Sequence, residues 1–369
     1  MKFKLTNIVA VCLLLICGLS SFVNYNLMPD FSENRVLKKF PNSMNADFPR
    51  GFSDFISDNF LLRKPLMSLF FKIKIKLFNS DLGLPVSIGE DGWVFIREEI
   101  PFHQKTVIPD QILLDKIRNS LDAWCAYSNQ HGAKFYFLIG PNKSTIYPEK
   151  MNSRFLQLNN ESFIDQIKRQ NYQCEFEILD VREMLINNKE HNLYYKWGTH
   201  WNDFAGSLVW NKIKSDILKS EPKIIWPTTP KTELTMRPAH PLEDSVWGWF
   251  GQSDPNLEQI PLISYQNSNQ PIHTLTKNEI KVFAIGDSFL QYMFNSAKVV
   301  FPSYLSFNLD SENVVFENLN RDTNAWLVKA YGEKLKIDPI DLYKPKVVIF
   351  ESVERNLHSV GDIPRPANK

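Results

Sequence analysis

Apolar positions follow three successive rhythms along the chain. Leu5 to Val23 carries no charged residue and follows Lys2 and Lys4. About 19 residues at 1.5 Å each reach roughly 28 Å, the thickness of a bilayer's hydrocarbon core. From about 24 to 105 the pattern changes. Asn34 to Pro41 reads as extended; Phe52, Phe55, Ile56, Phe60 and Leu61 fall at helical spacing, with Pro65 as punctuation. Leu66 to Phe78 mixes aromatics with Lys72, Lys74 and Lys76, read first as a solvated helix face and second as a membrane-proximal basic helix. Gly89 to Gly92 then turns into a short strand at Trp93 to Ile96.

Beyond residue 105, helical stripes alternate with short apolar runs, the pattern of a mostly parallel sheet flanked by helices. Asp110 caps a predicted helix with the stripe Leu113, Ile117, Leu121 and Trp124, ending at Gly132. Strands are predicted at 134–139, 176–181, 282–285, 314–316 and 347–350, with helices at 163–168 and from about Asn202. Residues 220–275 are rich in Pro, Trp and polar groups and read as an irregular insertion. The expected organisation is a signal anchor over 1–27, a lead-in over 28–105 and an α/β domain over 106–369. The anchor places the rest of the chain outside the cytoplasm, on a single pass through the inner membrane. Gly18 and Ser20 leave a cleaved signal peptide, with release to the periplasm, as the competing reading.

Composition removes other classes. The formal net charge is +1, which excludes nucleic-acid binding through a basic face, and 43% hydrophobic residues exclude a disordered chain. Neither zinc-ligand spacing nor HExxH, GxGxxG or P-loop patterns occur, so no metal or cofactor is expected. Of four cysteines, Cys12 and Cys17 lie in the apolar run. Cys125 and Cys174 remain as either a disulfide or two buried thiols.

Two segments suggest chemistry. Ile285-Gly286-Asp287-Ser288-Phe289 ends an apolar strand where a helix begins, a place for a serine nucleophile whose own N–H faces a developing oxyanion. Gly-Asp-Ser is also ordinary turn chemistry. Trp197-Gly198-Thr199-His200-Trp201-Asn202 holds a histidine between two tryptophans, suited to a general base or to a purely structural role. Asn142, after a strand, is a candidate oxyanion donor or a turn residue. Lys143 is a candidate substrate contact or solvated surface. Glu351 and Arg355, at the end of the last apolar strand, either face the site or pair with each other. Trp247, Trp249 and Phe250 form either a sugar platform or a local clasp.

Together these segments make the chain resemble the SGNH-hydrolase-like O-acetyltransferases of the alginate acetylation type. The resemblance is carried by Glu33-Asn34-Arg35 with Pro41, Asp58 with Arg63, and Gly89-Glu90-Asp91-Gly92-Trp93-Val94-Phe95. Pro141-Asn142-Lys143 with Tyr147-Pro148, Thr199-His200-Trp201-Asn202 with Gly206, Gly286-Asp287-Ser288, and Glu351 with Glu354-Arg355 complete it. It implies an SGNH, flavodoxin-type sheet and a Ser–His–Asp triad, with Ser288 as nucleophile and His200 as base. The implied reaction is acetyl transfer to an extracellular polysaccharide. The implied donor is an integral-membrane acyltransferase of the MBOAT type. The family places its acid two residues before the histidine, and here that position is Gly198. Three explanations follow: a Ser–His dyad, a relocated acid such as Asp203 or Glu351, or a weakly catalytic glycan-binding subunit. A carbohydrate esterase, with water as acceptor, is the second enzymatic reading.

Overall fold

The computed structural model describes residues 37–60, 62–77, 83–220, 232–239, 258–265, 282–290, 314–318 and 344–362, with Asp81, Pro222, Asp244, Val246 and Ile340. The apolar run from Leu5, the triplet at 33–35 and the aromatics Trp247, Trp249 and Phe250 lie outside these residues. Among the described residues no helix is long and apolar enough to cross a membrane. The chain divides into two compact units, one of residues 1–83 with 245–256, the other of 84–244 with 257–369.

In the first unit, helix α1 (Phe48–Asn59) starts with Pro49 in its first turn, where the missing N–H costs nothing. Phe40 meets Phe48, Phe52 and Phe55 edge-on at 5.5–6.2 Å. Helix α2 (Arg63–Lys72) continues into a π turn at Ile73–Leu77 and buries Ser68 and Phe71. Asp58 lies 4.0 Å from Arg63 and accepts the Lys38 N–H at 2.9 Å.

The second unit opens with an antiparallel pair, β1 (Val86–Ile88) and β2 (Val94–Ile96). Their connection needs left-handed backbone at Asp91 (φ 53°) and Gly92 (φ 72°). A short helix, α3 (Ile100–His103), precedes the long α4 (Gln111–Gln130), capped by Asp110 through the Leu113 N–H as its sequence predicts. The main sheet is built from β3 (Lys134–Gly140), β4 (Glu177–Asp180), β7 (Val282–Gly286), β8 (Val314–Asn318) and β9 (Val347–Val353). All its pairings are parallel, and the spatial order is β4-β3-β9-β7-β8.

The parallel sheet and flanking helices match the expected α/β class. Read from its far edge as β8-β7-β9-β3-β4, the sheet has the spatial order 2-1-3-4-5 of a flavodoxin-type sheet, with the chain permuted so that β7 takes the first place and β9, β3 and β4 the last three. All seven β9 residues are buried, and an apolar strand of this kind gains most at the centre of a sheet. Alternation assigns the two faces. Tyr136, Leu138, Ala284 and Ile349 pack with α8 (Asp203–Ser220) through Ala205, Val209, Trp210 and Ile213. Phe135, Phe137, Ile285 and Phe350 pack with α4 through Ile117, Leu121 and Trp124. Short helices α5 (Lys143–Ile146) and α7 (Arg182–Ile186) add Ile146 and Leu185 to the first face, and α6 (Phe163–Lys168) adds Phe163, Ile164 and Ile167 to the second.

Cys125 of α4 and Cys174, before β4, form a disulfide with Cα atoms 6.0 Å apart. The expectation of irregular structure over 220–275 needs one correction. β5 (Thr232–Pro238) and β6 (Gln259–Tyr265) form a seven-pair antiparallel ribbon, and Asp244, in the segment between them, reaches the site.

Candidate active site

Strands β3, β9 and β7 end side by side, where the chain's path across the sheet changes direction. Open α/β sheets bind ligands at such a crevice beyond their strand carboxyl ends. β7 delivers Gly286 and Asp287, and Ser288 begins a helix. Asp287 is a structural pin: its Oδ1 accepts the Phe289 N–H at 2.9 Å, and its Oδ2 accepts the Val353 N–H at 3.0 Å and the Asn356 amide at 3.2 Å. The serine is 9% exposed, reachable but largely dry.

His200 comes from a turned-back loop whose ends are tied together. The Asn202 N–H reaches the Leu193 carbonyl at 2.9 Å, and the Tyr195 N–H reaches the His200 carbonyl at 3.2 Å. Asn202 caps α8 through the N–H groups of Phe204 and Ala205. The Trp201 indole donates to the Phe289 carbonyl at 2.9 Å, locking the histidine loop to the serine turn. His200 Nε2 then lies 2.7 Å from Ser288 Oγ, within the reach a general base needs.

The carboxylate on the far side of the ring belongs to Asp244. Its Oδ2 is 2.9 Å from His200 Nδ1 and also accepts the N–H groups of Thr199 at 2.5 Å and His200 at 2.6 Å. Thr199 Oγ1 contacts the same Nδ1 at 2.9 Å. Burial pushes the Asp244 carboxyl up, but the imidazole and the two N–H groups outweigh it and hold it well below the usual carboxylate range.

Asp244 corrects the expectation at Gly198. The acid is relocated, but to neither residue named for it. Asp203 opens α8, where the helix N-terminus favours a negative charge. Glu351 faces the other strand and accepts the Asp287 N–H at 2.9 Å. Burial, with the Asp287 charge beside it, pushes the Glu351 carboxyl well up, the opposite direction to Asp244. Nor do Glu351 and Arg355 pair with each other: Arg355 turns to Asn142 and stacks over Phe289 at 5.1 Å. The glycine at 198 has a direct cause. A Cβ there would collide with the carboxylate and main-chain oxygen of Asp244. The residue that could not supply the acid is the one that lets it in.

Lys143 is neither a substrate contact nor solvated surface. It is fully buried, and its ammonium donates to the carbonyls of Val94, Tyr195, Lys196 and Gly198 at 2.5–3.2 Å. Burial lowers its pKa to about 8, against the attraction of Glu99, Asp244 and Glu258. From the other side Glu258 accepts the Lys196 N–H at 2.8 Å and the Trp197 N–H at 3.4 Å; burial raises its carboxyl to about 7. The histidine loop is thus gripped by a cation on its carbonyls and a carboxyl on its amides.

Asn142 is also fully buried. Its Oδ1 accepts from the Arg355 guanidinium at 3.2 Å, and its main-chain N–H goes to Glu354 at 3.0 Å. Its side-chain amide nitrogen has no partner among the described residues. With the oxygen committed to Arg355, the amide presents donors only. Among the described residues no group of three His, Cys, Asp or Glu could hold a metal ion.

A serine, a histidine and an ionised aspartate in series, at the mouth of a parallel sheet, fit acyl transfer. No curated protein matches the chain. Among solved structures, the O-acetyltransferase domain of Pseudomonas putida AlgJ shares 16% identity and a TM-score of 0.50, over 74% of this chain and 92% of that one, a likeness of fold. Bacillus cereus PatB1 shares 12% identity with a TM-score of 0.48, over 74% and 96% of the two chains. Pseudomonas aeruginosa AlgX shares 14% with 0.44, over 80% and 70%. The family model described as the SGNH hydrolase-like domain of the acetyltransferase AlgX matches residues 86–354, from the first strand of the second unit to the residue after β9. With most of its length under that model and a Ser288–His200 contact at its centre, the chain belongs to the AlgX-type, SGNH-hydrolase-like acetyltransferase family.

Proposed function

We propose that this protein moves acetyl groups onto hydroxyls of an extracytoplasmic polysaccharide through an acetyl-Ser288 intermediate. The observation that carries the proposal is the unbroken relay Ser288 Oγ–His200 Nε2, His200 Nδ1–Asp244, at 2.7 and 2.9 Å. In the first half-reaction Ser288 Oγ attacks the acetyl carbonyl while His200 Nε2 takes its proton. The donor's leaving oxygen departs with that proton, and the acetyl ester of Ser288 remains. In the second, a sugar hydroxyl gives its proton to His200 and attacks the ester; the proton returns to Ser288 Oγ as it leaves. Asp244 keeps the Nδ1–H tautomer and stabilises the imidazolium in both halves. The Ser288 N–H, at a helix start with no intrahelical acceptor, and the Asn142 amide supply the oxyanion donors.

A disulfide between Cys125 and Cys174 supports an oxidising compartment, as does the apolar run behind Lys2 and Lys4. In that compartment the donor is an integral-membrane acyltransferase of the MBOAT type, and the chain's own apolar run is its tether. The alternative of a weakly catalytic glycan-binding subunit rested on Gly198, and Asp244 removes that basis. A chromogenic acetyl ester with the full chain gives the test. An acetyl adduct of Ser288 is expected by mass, with release on adding polysaccharide. Ser288→Ala and His200→Ala should both abolish it, and an adduct that survives Ser288→Ala would overturn the assignment. Acetate appearing in solution, with none on the glycan, would identify an esterase instead.

A further inference from the structure

Helix α2 turns its apolar stripe outward. Leu62, Leu66, Leu69, Phe70 and Ile73 recur at the spacing of one helical face, and they are 38%, 50%, 53%, 54% and 37% exposed. The inward side of the same helix buries Ser68 and Phe71. A surface helix of a soluble protein shows the reverse, with its stripe inward and its polar side in water. An apolar face this continuous marks an interaction site.

Charge identifies the occupant. Between Asp58 and Asp81 the sequence has Arg63, Lys64, Lys72, Lys74 and Lys76 and no carboxylate. The Lys74 ammonium lies 5.2 Å from the centre of the Phe70 ring, which sets a cation beside the apolar stripe. A second copy of the chain would set this cationic face against itself, whereas a surface of anionic headgroups complements it. Leu and Phe on one side with lysines beside them is the composition of helices that lie in the plane of a membrane interface.

We propose that α2 and the turn after it dock on the surface of an anionic lipid bilayer, with Leu66, Leu69, Phe70 and Ile73 immersed among the headgroups. The contact is separate from acetyl transfer and would hold in a protein whose relay was inactive. The test is hydrogen–deuterium exchange on the full chain reconstituted in vesicles of phosphatidylcholine alone, or of equal parts phosphatidylcholine and phosphatidylglycerol. Amides of residues 63–77 should exchange about tenfold more slowly in the anionic vesicles, and salt near 1 M should reverse the slowing. The double variant Leu69→Glu with Phe70→Glu, both at exposed positions, should lose the slowing while β3 and β9 exchange as before. Equal exchange in the two vesicle types would overturn the proposal. So would protection in neutral detergent that grows with protein concentration, which would identify a second copy as the occupant.

Discussion

The serine side and the histidine side of the site are built by different means. Ser288 and Asn142 stand at the ends of strands β7 and β3, fixed by parallel ladders to β9 and by apolar packing on both faces of the sheet. His200 and Asp244 stand on loops, fixed by buried ionisable groups that hold main-chain atoms. Each side also buries a carboxyl whose charge its neighbours shift. Asp244 meets an imidazole and N–H groups, which hold its carboxyl low; burial and the Asp287 charge push the Glu351 carboxyl up. The ladders themselves position the strand ends without reference to pH, and the carboxyls of Asp287, Glu351 and Glu354 only take up N–H groups where those strands end. A loop held by Lys143, Glu258 and Asp244 is positioned only while those groups keep the right charge.

The largest effect is expected where the relay meets the loop. Asp244→Asn should lower the rate of Ser288 acylation by on the order of 10⁴, the scale of the loss when the triad aspartate of a serine protease is replaced by asparagine. Stopped-flow release of the chromophore measures it, and a loss below about tenfold would mean the pair works as a dyad. Next is the sheet side. Asn142→Ala should cost about 10²–10³ in kcat through the lost oxyanion donor, with KM little changed. Arg355→Met, which frees the amide to rotate, should reproduce part of that loss. Because Asn142 lends its side chain to no other described group but Arg355, its loss should fall mainly on rate.

Gly198→Ala should combine both kinds of damage, since its Cβ displaces Asp244: a loss of about 1–3 kcal/mol in stability together with slowed acylation. Denaturant melts alongside the kinetics would show whether the two losses travel together. The smallest effect is a pH slope. Glu258 ionises near 4.5 when unfolded and near 7 when folded, so the folded state holds the proton more tightly, and stability falls as pH rises between those values. Glu258→Gln should flatten the melting temperature across that window and leave the serine side unchanged. An unaltered slope would show that the loop is not held through this carboxyl.

How much of this the sequence discloses follows the same division. Helix α4 and its Asp110 cap, the strand at 134–140 and the serine turn are local: period, cap and turn chemistry lie within a few residues of each other. The pairing of Ser288 with His200 follows from the order of two motifs in a resembling family. Asp244 has no such mark. It lies 44 residues after His200, in a stretch of Pro and Trp whose path nothing local sets, and it is recruited by two N–H groups that exist only once the loop has turned. The nearest signal was Gly198, because a missing Cβ beside a catalytic histidine implies that something approaches there. Lys143 misled for the opposite reason: lysines are rarely buried, and only four converging carbonyls make this one an exception. The central place of β9 was equally hidden, since strand order is a property of the whole sheet.

That central strand sets a timetable. β3 and β7 have no pairing with each other; both pair with β9, which follows every other described strand in the chain. During synthesis or export the segments bearing Asn142, His200, Asp244 and Ser288 all emerge before the piece that joins them. A chain cut before residue 347 would therefore carry every one of these groups and lack the strand that joins β3 to β7.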